Sequence, residues 1–299
     1  MNEKIMKKIE NFGGKYFEKY LKNKYDDEKL QYNWWEALKF FFDNSFMRGR
    51  KNKLSEKYRN FTVRCLEEFF SISEKNLEES YEKLKSYKKF FDKNQILDFK
   101  RRKGIKKNKN CIKHGDFQNE VSEKNPIIKL LTVKNDKVSK GDRLPLNNDK
   151  DLIMVLDTLK FICRSDKTKN IYLYLKRKIE GSGVKEAYNQ LIMISYVGDK
   201  IACLIIRDIG LLNPKLINND YEYVFPVDTW VKKIAKKMGC KKENKRYIKK
   251  FFIEKCKKYK IDPLKFAAGL WYMGTNCLDL LIEEIKKIGY IYPNSIQRR

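Results

Sequence analysis

Ile194-Ser195-Tyr196-Val197-Gly198-Asp199-Lys200-Ile201-Ala202 joins two segments of helical periodicity. Upstream, Val184, Ala187, Tyr188, Leu191 and Ile192 recur at three- and four-residue spacing and mark one apolar helix face. Downstream, residues 203–206 begin an apolar helix. The stretch reads as helix, tight glycine-containing turn, helix. Such a turn exposes the unpaired backbone N–H groups that start the second helix, and these suit a phosphate. Contacts of that kind read the nucleic-acid backbone and not base edges, as a protein that scans DNA requires. Lys200 falls in the first turn of the second helix. The helix dipole there disfavours an added positive charge, and partial burial acts in the same direction, so both favour the neutral, nucleophilic amine. A plain phosphate contact is the simpler role for the same lysine.

Further along runs Val224-Phe225-Pro226-Val227-Asp228-Thr229-Trp230. Asp228 precedes an apolar stripe of Val231, Ile234, Ala235 and Met238, and Gly239 ends it. Asp228 is therefore expected to cap a helix N-terminus, where N–H hydrogen bonds and the dipole keep a carboxylate ionised. An ionised carboxylate so placed can stabilise developing positive charge and assist proton transfer. Capping and catalysis are compatible, and capping alone also accounts for the residue.

The first stretch resembles the hairpin of the helix-hairpin-helix DNA glycosylases. Their pattern, Pro-Gly-Val-Gly-x-Lys-x-Ala, compares with Ser195-Tyr196-Val197-Gly198-Asp199-Lys200-Ile201-Ala202 here. The second resembles the Pro-Val-Asp-Thr segment that holds the family's catalytic aspartate, and the two motifs follow in family order. The likeness covers residues 184–238 well and the flanking helices in general character. Many DNA-binding proteins carry a hairpin; a hairpin lysine with a downstream Pro-Val-Asp is more specific. Tyr196 replaces the first hairpin glycine and Ser195 the proline, so the turn must tolerate a side chain. Lys200 and Asp228 stand 28 positions apart, longer than usual for the family. The excess falls in residues 211–223, whose Asn213, Pro214, Asn218, Asn219 and Asp220 read as a loop. Extra loop length need not move its ends. Trp230 stands where the family often has histidine, and its indole N–H can donate to a phosphate.

The lysine places the likeness in the bifunctional class that includes endonuclease III and 8-oxoguanine glycosylase. The resemblance implies a base-excision-repair enzyme with Lys200 as nucleophile and Asp228 as its carboxylate partner. Lys200 would displace the base, form a Schiff base and permit β-elimination. Members lacking this lysine activate water and stop after base removal. Tyr196, Gly198, Asp199, Ile201 and Trp230 would meet the DNA backbone. In the family, C-terminal helices help form the pocket for an extruded base; Trp271 or Tyr272 would stack on it here, although core packing also explains both. Some members hold an iron–sulfur cluster on four closely spaced cysteines. Cys240, Cys256 and Cys277 are 16 and 21 residues apart, so neither cluster nor other cofactor is expected.

The rest of the chain fits a helical protein. Trp34, Trp35, Leu38, Phe41 and Phe42 crowd one segment, and Leu54, Tyr58, Phe61, Cys65 and Phe69 recur at helical spacing. Residues 100–113 hold eight basic residues and no acidic one. Residues 100–150 read as an irregular insertion, with a short strand pair around 127–138. It is either an arm on DNA or a solvated loop. Helical periodicity resumes at Asp151, and Leu278, Leu281, Ile282, Ile285 and Ile288 mark a last helix. Residues 232–260 carry fourteen basic residues against Glu243 and Glu254 and could line a DNA approach.

The 299 residues carry a net charge of +28, which attracts polyanions; a lysine-rich surface without a polyanionic partner is the plainer explanation. No run of eighteen apolar residues suits a membrane span, and the N-terminus lacks the apolar stretch of a signal peptide. Seven scattered cysteines without a CxxC pair fit reduced thiols, and the single histidine, His114, excludes sites needing two histidines, so no metal is expected. These readings converge on an all-α, two-lobed protein with a cleft between the lobes. Residues 1–99 form N-terminal helices sharing a lobe with the C-terminal helices of 240–299, residues 100–150 the insertion, and residues 151–239 the hairpin domain. The expected partner is double-stranded DNA with a damaged base, oxidised guanine first, bound by a cytoplasmic, nucleoid-associated monomer. The alternatives are a non-catalytic helix-hairpin-helix double-stranded DNA-binding protein and a glycosylase without lyase activity.

Overall fold

The computed structural model describes residues 3–48, 50–134, 141, 143–278, 281–283 and 285. Every regular element among them is helical: α1 (Glu3–Tyr16), α2 (Asp27–Tyr32), α3 (Trp34–Ser45), α4 (Asn52–Phe70), α5 (Leu77–Ser86), α6 (Asn94–Arg102), α7 (Pro126–Thr132), α8 (Asp149–Ile162), α9 (Asp166–Lys169), α10 (Ile171–Ser182), α11 (Val184–Ile192), α12 (Asp199–Leu212), α13 (Thr229–Lys237), α14 (Lys245–Tyr259) and α15 (Pro263–Asn276). None of them is long and apolar enough to cross a membrane. The described part of the chain divides into two compact units. The first comprises Met1–Asp27, Lys178–Asn189 and Asp199–Arg299; the second comprises Glu28–Arg177 and Gln190–Gly198.

In the first unit α1 and α15 make the densest helix pair. They approach through glycine. A Cβ on Gly13 would fall 1.7 Å from the carbonyl oxygen of Lys265, and one on Gly269 1.9 Å from that of Ile9. Backbone therefore packs on backbone, and no larger residue fits either position. Asp262 caps α15, accepting from the N–H groups of Leu264 and Lys265, and Pro263 supplies the first helical position. Residues 201–211 of α12 are buried throughout. Phe225, Phe252 and Phe266 form an aromatic cluster, with Phe225 and Phe252 stacked 6.2 Å apart. Gly239, at φ +87°, ends α13 in the left-handed conformation that glycine adopts without strain.

The second unit is built around α3, α4 and α8, which bury Phe41, Phe42, Phe61, Leu152, Leu156 and Leu159 among others. Asn33 caps α3 through its side chain. The Tyr81 hydroxyl donates to the carbonyl of Ile162 at 2.9 Å. Asp151, fully buried, is paired with both Arg48 and Arg50. Lys100 is buried against Asp149 and also donates to the carbonyl of Lys109 at 2.8 Å. The basic text of residues 100–113 thus has one lysine turned inward.

The strand pair expected around 127–138 is not formed by its first half. Residues 127–132 lie in α7, because Asn125 accepts from the N–H groups of Ile127 and Ile128 and Pro126 pre-sets the first helical residue. Ile127, Ile128 and Leu131 are then buried together. Residues 135–138 lie outside the described residues. At the C-terminal end Leu278, Leu281, Ile282 and Ile285 are helical, as their spacing predicts, and Ile288 lies outside the described residues.

Candidate active site

Helix, turn and helix follow one another in the order that the spacing predicts. α11 ends at Ile192, α12 begins at Asp199, and the turn between them is closed by hydrogen bonds from Ile194 N–H to Leu191 and from Val197 N–H to Ile194. Tyr196 sits at φ +63°, the left-handed conformation that the first glycine of the pattern would adopt freely. A tyrosine there costs about 1–2 kcal/mol of backbone strain. Its ring lies over the Arg48 guanidinium at 6.0 Å, a contact a glycine could not make. Gly198, by contrast, needs to be glycine neither for its φ nor for packing: a Cβ there meets nothing within 4 Å.

Ser195 explains how the turn does without proline. Its N–H donates to Asp157 Oδ2 at 2.8 Å, and its hydroxyl accepts from Lys93 Nζ at 2.7 Å. Lys93 also donates to the same carboxylate oxygen at 2.9 Å. Burial opposes ionisation of Asp157, but the hydrogen bonds from Lys93 and Ser195 outweigh it and hold its pKa below the usual aspartate value. Asp157 and Lys93 are positioning residues that the motif did not reveal. The available signal was a lone acidic residue inside the apolar run of α8.

Lys200 is the second residue of α12, and Asp228 is the N-cap of α13. The two carboxylate oxygens of Asp228 are divided. Oδ1 accepts from the N–H groups of Trp230 and Val231, both at 3.0 Å. Oδ2 lies 3.9 Å from Lys200 Nζ. That separation is an ion-pair contact and exceeds a direct hydrogen bond. The side chains retain 23% and 14% exposure, so the pair is sheltered yet reachable. The long segment between them folds back on itself. Asn213 donates to Asp27 Oδ1 at 2.7 Å, and Ile217 is buried against the face of α12 at Gly210. Phe225, Pro226 and Val227 are buried and fix the approach to Asp228. A primary amine beside a carboxylate whose other oxygen is occupied can hand a proton to that carboxylate while attacking an electrophile.

The remaining expected contacts fall unevenly. Tyr196 and Gly198 belong to the second unit, whereas Asp199, Ile201 and Trp230 belong to the first. The Ile201 side chain is buried, so only its backbone N–H could serve a phosphate. Asp199 is engaged by Lys249 and Tyr188, at 2.6 and 3.2 Å. Trp230 is exposed, with Lys233 Nζ 4.8 Å from its ring centre. Trp271 is buried against the Arg207 guanidinium, and Tyr272 lies among Tyr16 and Tyr20. Arg207, one of the largest fully buried side chains, pairs with Asp208 at 2.7 Å. Arg207 Nη1 and the indole N–H of Trp271 have no hydrogen-bond partner among the described residues. Sequence spacing gave no sign of this pair of buried donors.

No family model matches the chain. No solved structure matches it. Over 82 residues, 27% of this chain, it is 34% identical to an uncharacterized protein of Methanocaldococcus jannaschii. That stretch spans only 19% of the relative's own length.

Proposed function

We propose that the protein is a bifunctional DNA glycosylase and abasic-site lyase of the helix-hairpin-helix superfamily, acting on an oxidised base such as 8-oxoguanine. The observation that carries this reading is the 3.9 Å approach of Lys200 Nζ to the free oxygen of a helix-capping Asp228, across 28 residues of sequence. In the reaction the neutral amine attacks deoxyribose C1′ and the base leaves with the bonding pair. Asp228 stabilises the oxocarbenium-like charge and takes the amine proton. The aminal formed at C1′ opens as the C1′–O4′ bond breaks and O4′ takes the proton that Asp228 received, leaving an iminium; loss of an acidified C2′ proton to the Asp228 carboxylate then expels the 3′-phosphate by β-elimination, and water hydrolyses the Schiff base to free Lys200.

Two further features support the reading. The space outside Gly198 admits a phosphate close to the backbone at the start of α12. The unpaired donors of Arg207 and Trp271 are what the carbonyl oxygens of an extruded base would satisfy, since buried donors are rarely left open. Strand cleavage on duplexes carrying 8-oxoguanine, thymine glycol, uracil or an abasic site tests the assignment. The wild-type chain should cut at one base lesion and at the abasic site, and Lys200→Gln at neither. Base release without cutting would instead indicate a glycosylase that activates water. Binding without either reaction would indicate a non-catalytic DNA-binding module.

A further inference from the structure

Within the first unit, Lys185 on α11, Asp199 on α12, Glu222 and Tyr223 on the turn Tyr221–Val224, and Lys245, Arg246 and Lys249 on α14 line a pocket of about 420 Å³. The volume falls in the range of small-molecule sites, but the lining is charged where such sites are mostly apolar. Four cations face two carboxylates. Lys249 is committed: its Nζ donates to Asp199 Oδ1 at 2.6 Å and contacts Cys203 Sγ at 3.2 Å. Lys245 Nζ lies 3.5 Å from Asp199 Oδ2. Lys185 and Arg246 have no ion-pair partner among the described residues. Two positive charges are therefore left unanswered.

The backbone adds to the imbalance. The first turn of α14 holds Lys245 and Arg246 and no acidic residue, the reverse of what the helix dipole favours. Asn244 caps the N–H of Tyr247, while the first N–H groups of a helix have no intrahelical acceptor. An anion at this place would satisfy side chains and backbone together. Tyr223, its ring 4.9 Å from that of Tyr188, gives the pocket a flat aromatic wall. We propose that the pocket binds a phosphomonoester, with Lys185, Lys245 and Arg246 holding the phosphate and Tyr223 facing the group it is attached to. A monoester carries close to two negative charges at neutral pH, matching the two unanswered cations, where a backbone diester carries one.

Two sources supply such a group: a free mononucleotide, or the 5′-phosphate at a nicked strand. The second source rests on the lyase reading. Isothermal titration of the full chain with inorganic phosphate, deoxyadenosine 5′-monophosphate, and nicked duplexes ending in 5′-phosphate or 5′-hydroxyl separates them. The test variant is Lys185→Gln/Arg246→Gln; Lys185→Arg/Arg246→Lys keeps the charges and controls for folding. Phosphate and the mononucleotide should bind the wild type and the charge-keeping variant, and the glutamine variant about tenfold more weakly or worse. A mononucleotide that binds tighter than phosphate identifies the free-nucleotide source. A preference for the 5′-phosphate nick that the glutamine variant loses identifies the strand end. Phosphate affinity unchanged in the glutamine variant, or no binding at about 10 mM phosphate, overturns the proposal. These phosphate titrations require neither a lesion nor Lys200, so their failure leaves the lyase reading standing, and a chain without lyase activity can still pass them.

Discussion

Asp228 uses its two oxygens for two duties: Oδ1 caps α13, and Oδ2 faces Lys200. The duties are separable. Asparagine caps a helix as well as aspartate, so Asp228→Asn should change unfolding free energy by less than about 0.5 kcal/mol. The same change removes the charge and proton acceptor, and single-turnover strand cleavage should fall by about 10²–10⁴. Full activity in Asp228→Asn would reduce the residue to a cap. Gly198 separates binding from folding in a similar way. Since a Cβ there meets nothing, Gly198→Ala should leave thermal stability unchanged or slightly raised. On the proposed DNA-binding reading duplex affinity should nevertheless drop, because the added methyl would keep a phosphate from the backbone. Asp157 carries a pH signature. Burial opposes its charge, but Lys93 and Ser195 depress its pKa in the folded state. Its contribution is therefore present above the unfolded value near 4 and lost as pH falls through the lower folded value. Asp157→Asn should cost about 2 kcal/mol at neutral pH and flatten the acid limb of a stability-versus-pH curve. An unchanged acid limb would remove Asp157 from its role at the turn.

Elements whose character is set by local periodicity were legible in the sequence, and those set by tertiary partners were not. The stripe from Val231 to Met238, with Asp228 before it and Gly239 after it, specifies α13 and its cap without outside help. The hairpin helices follow from spacing in the same way. The strand pair expected around 127–138 gives way to α7 over residues 127–132, because a short apolar run fits either element by its spacing alone and the Asn125-Pro126 start signal favours the helix. The left-handed Tyr196 was beyond reach, since the strain is supported by Arg48 from a distant part of the chain. Ser195 was recognisable as a departure, but not the Asp157–Lys93 pair that compensates for it. The crossing of α1 and α15 was equally hidden, because Gly13 and Gly269 lie 256 positions apart in the sequence. It is testable by size: Gly13→Ala or Gly269→Ala should cost about 3 kcal/mol or more, read by denaturant unfolding. A shift within experimental scatter would mean that the helices can part without loss.

At the scale of the whole molecule, composition pointed to a polyanionic partner, and the charges have structural addresses. Some basic residues are internal, as Arg207, Lys100 and Lys249 are, each held by an aspartate. Others, such as Lys185 and Arg246, line the charged pocket beside Asp199 and Glu222 and have no ion-pair partner among the described residues. The proposed chemistry rests on one amine, and one measurement reaches it directly: borohydride reduction of the wild-type chain mixed with a duplex containing an abasic site, followed by mass-spectrometric mapping of the modified peptide. The expected result is a covalent protein–DNA adduct on Lys200 that Lys200→Gln does not form while still binding the duplex. No adduct, or an adduct on another lysine that persists in Lys200→Gln, would contradict it.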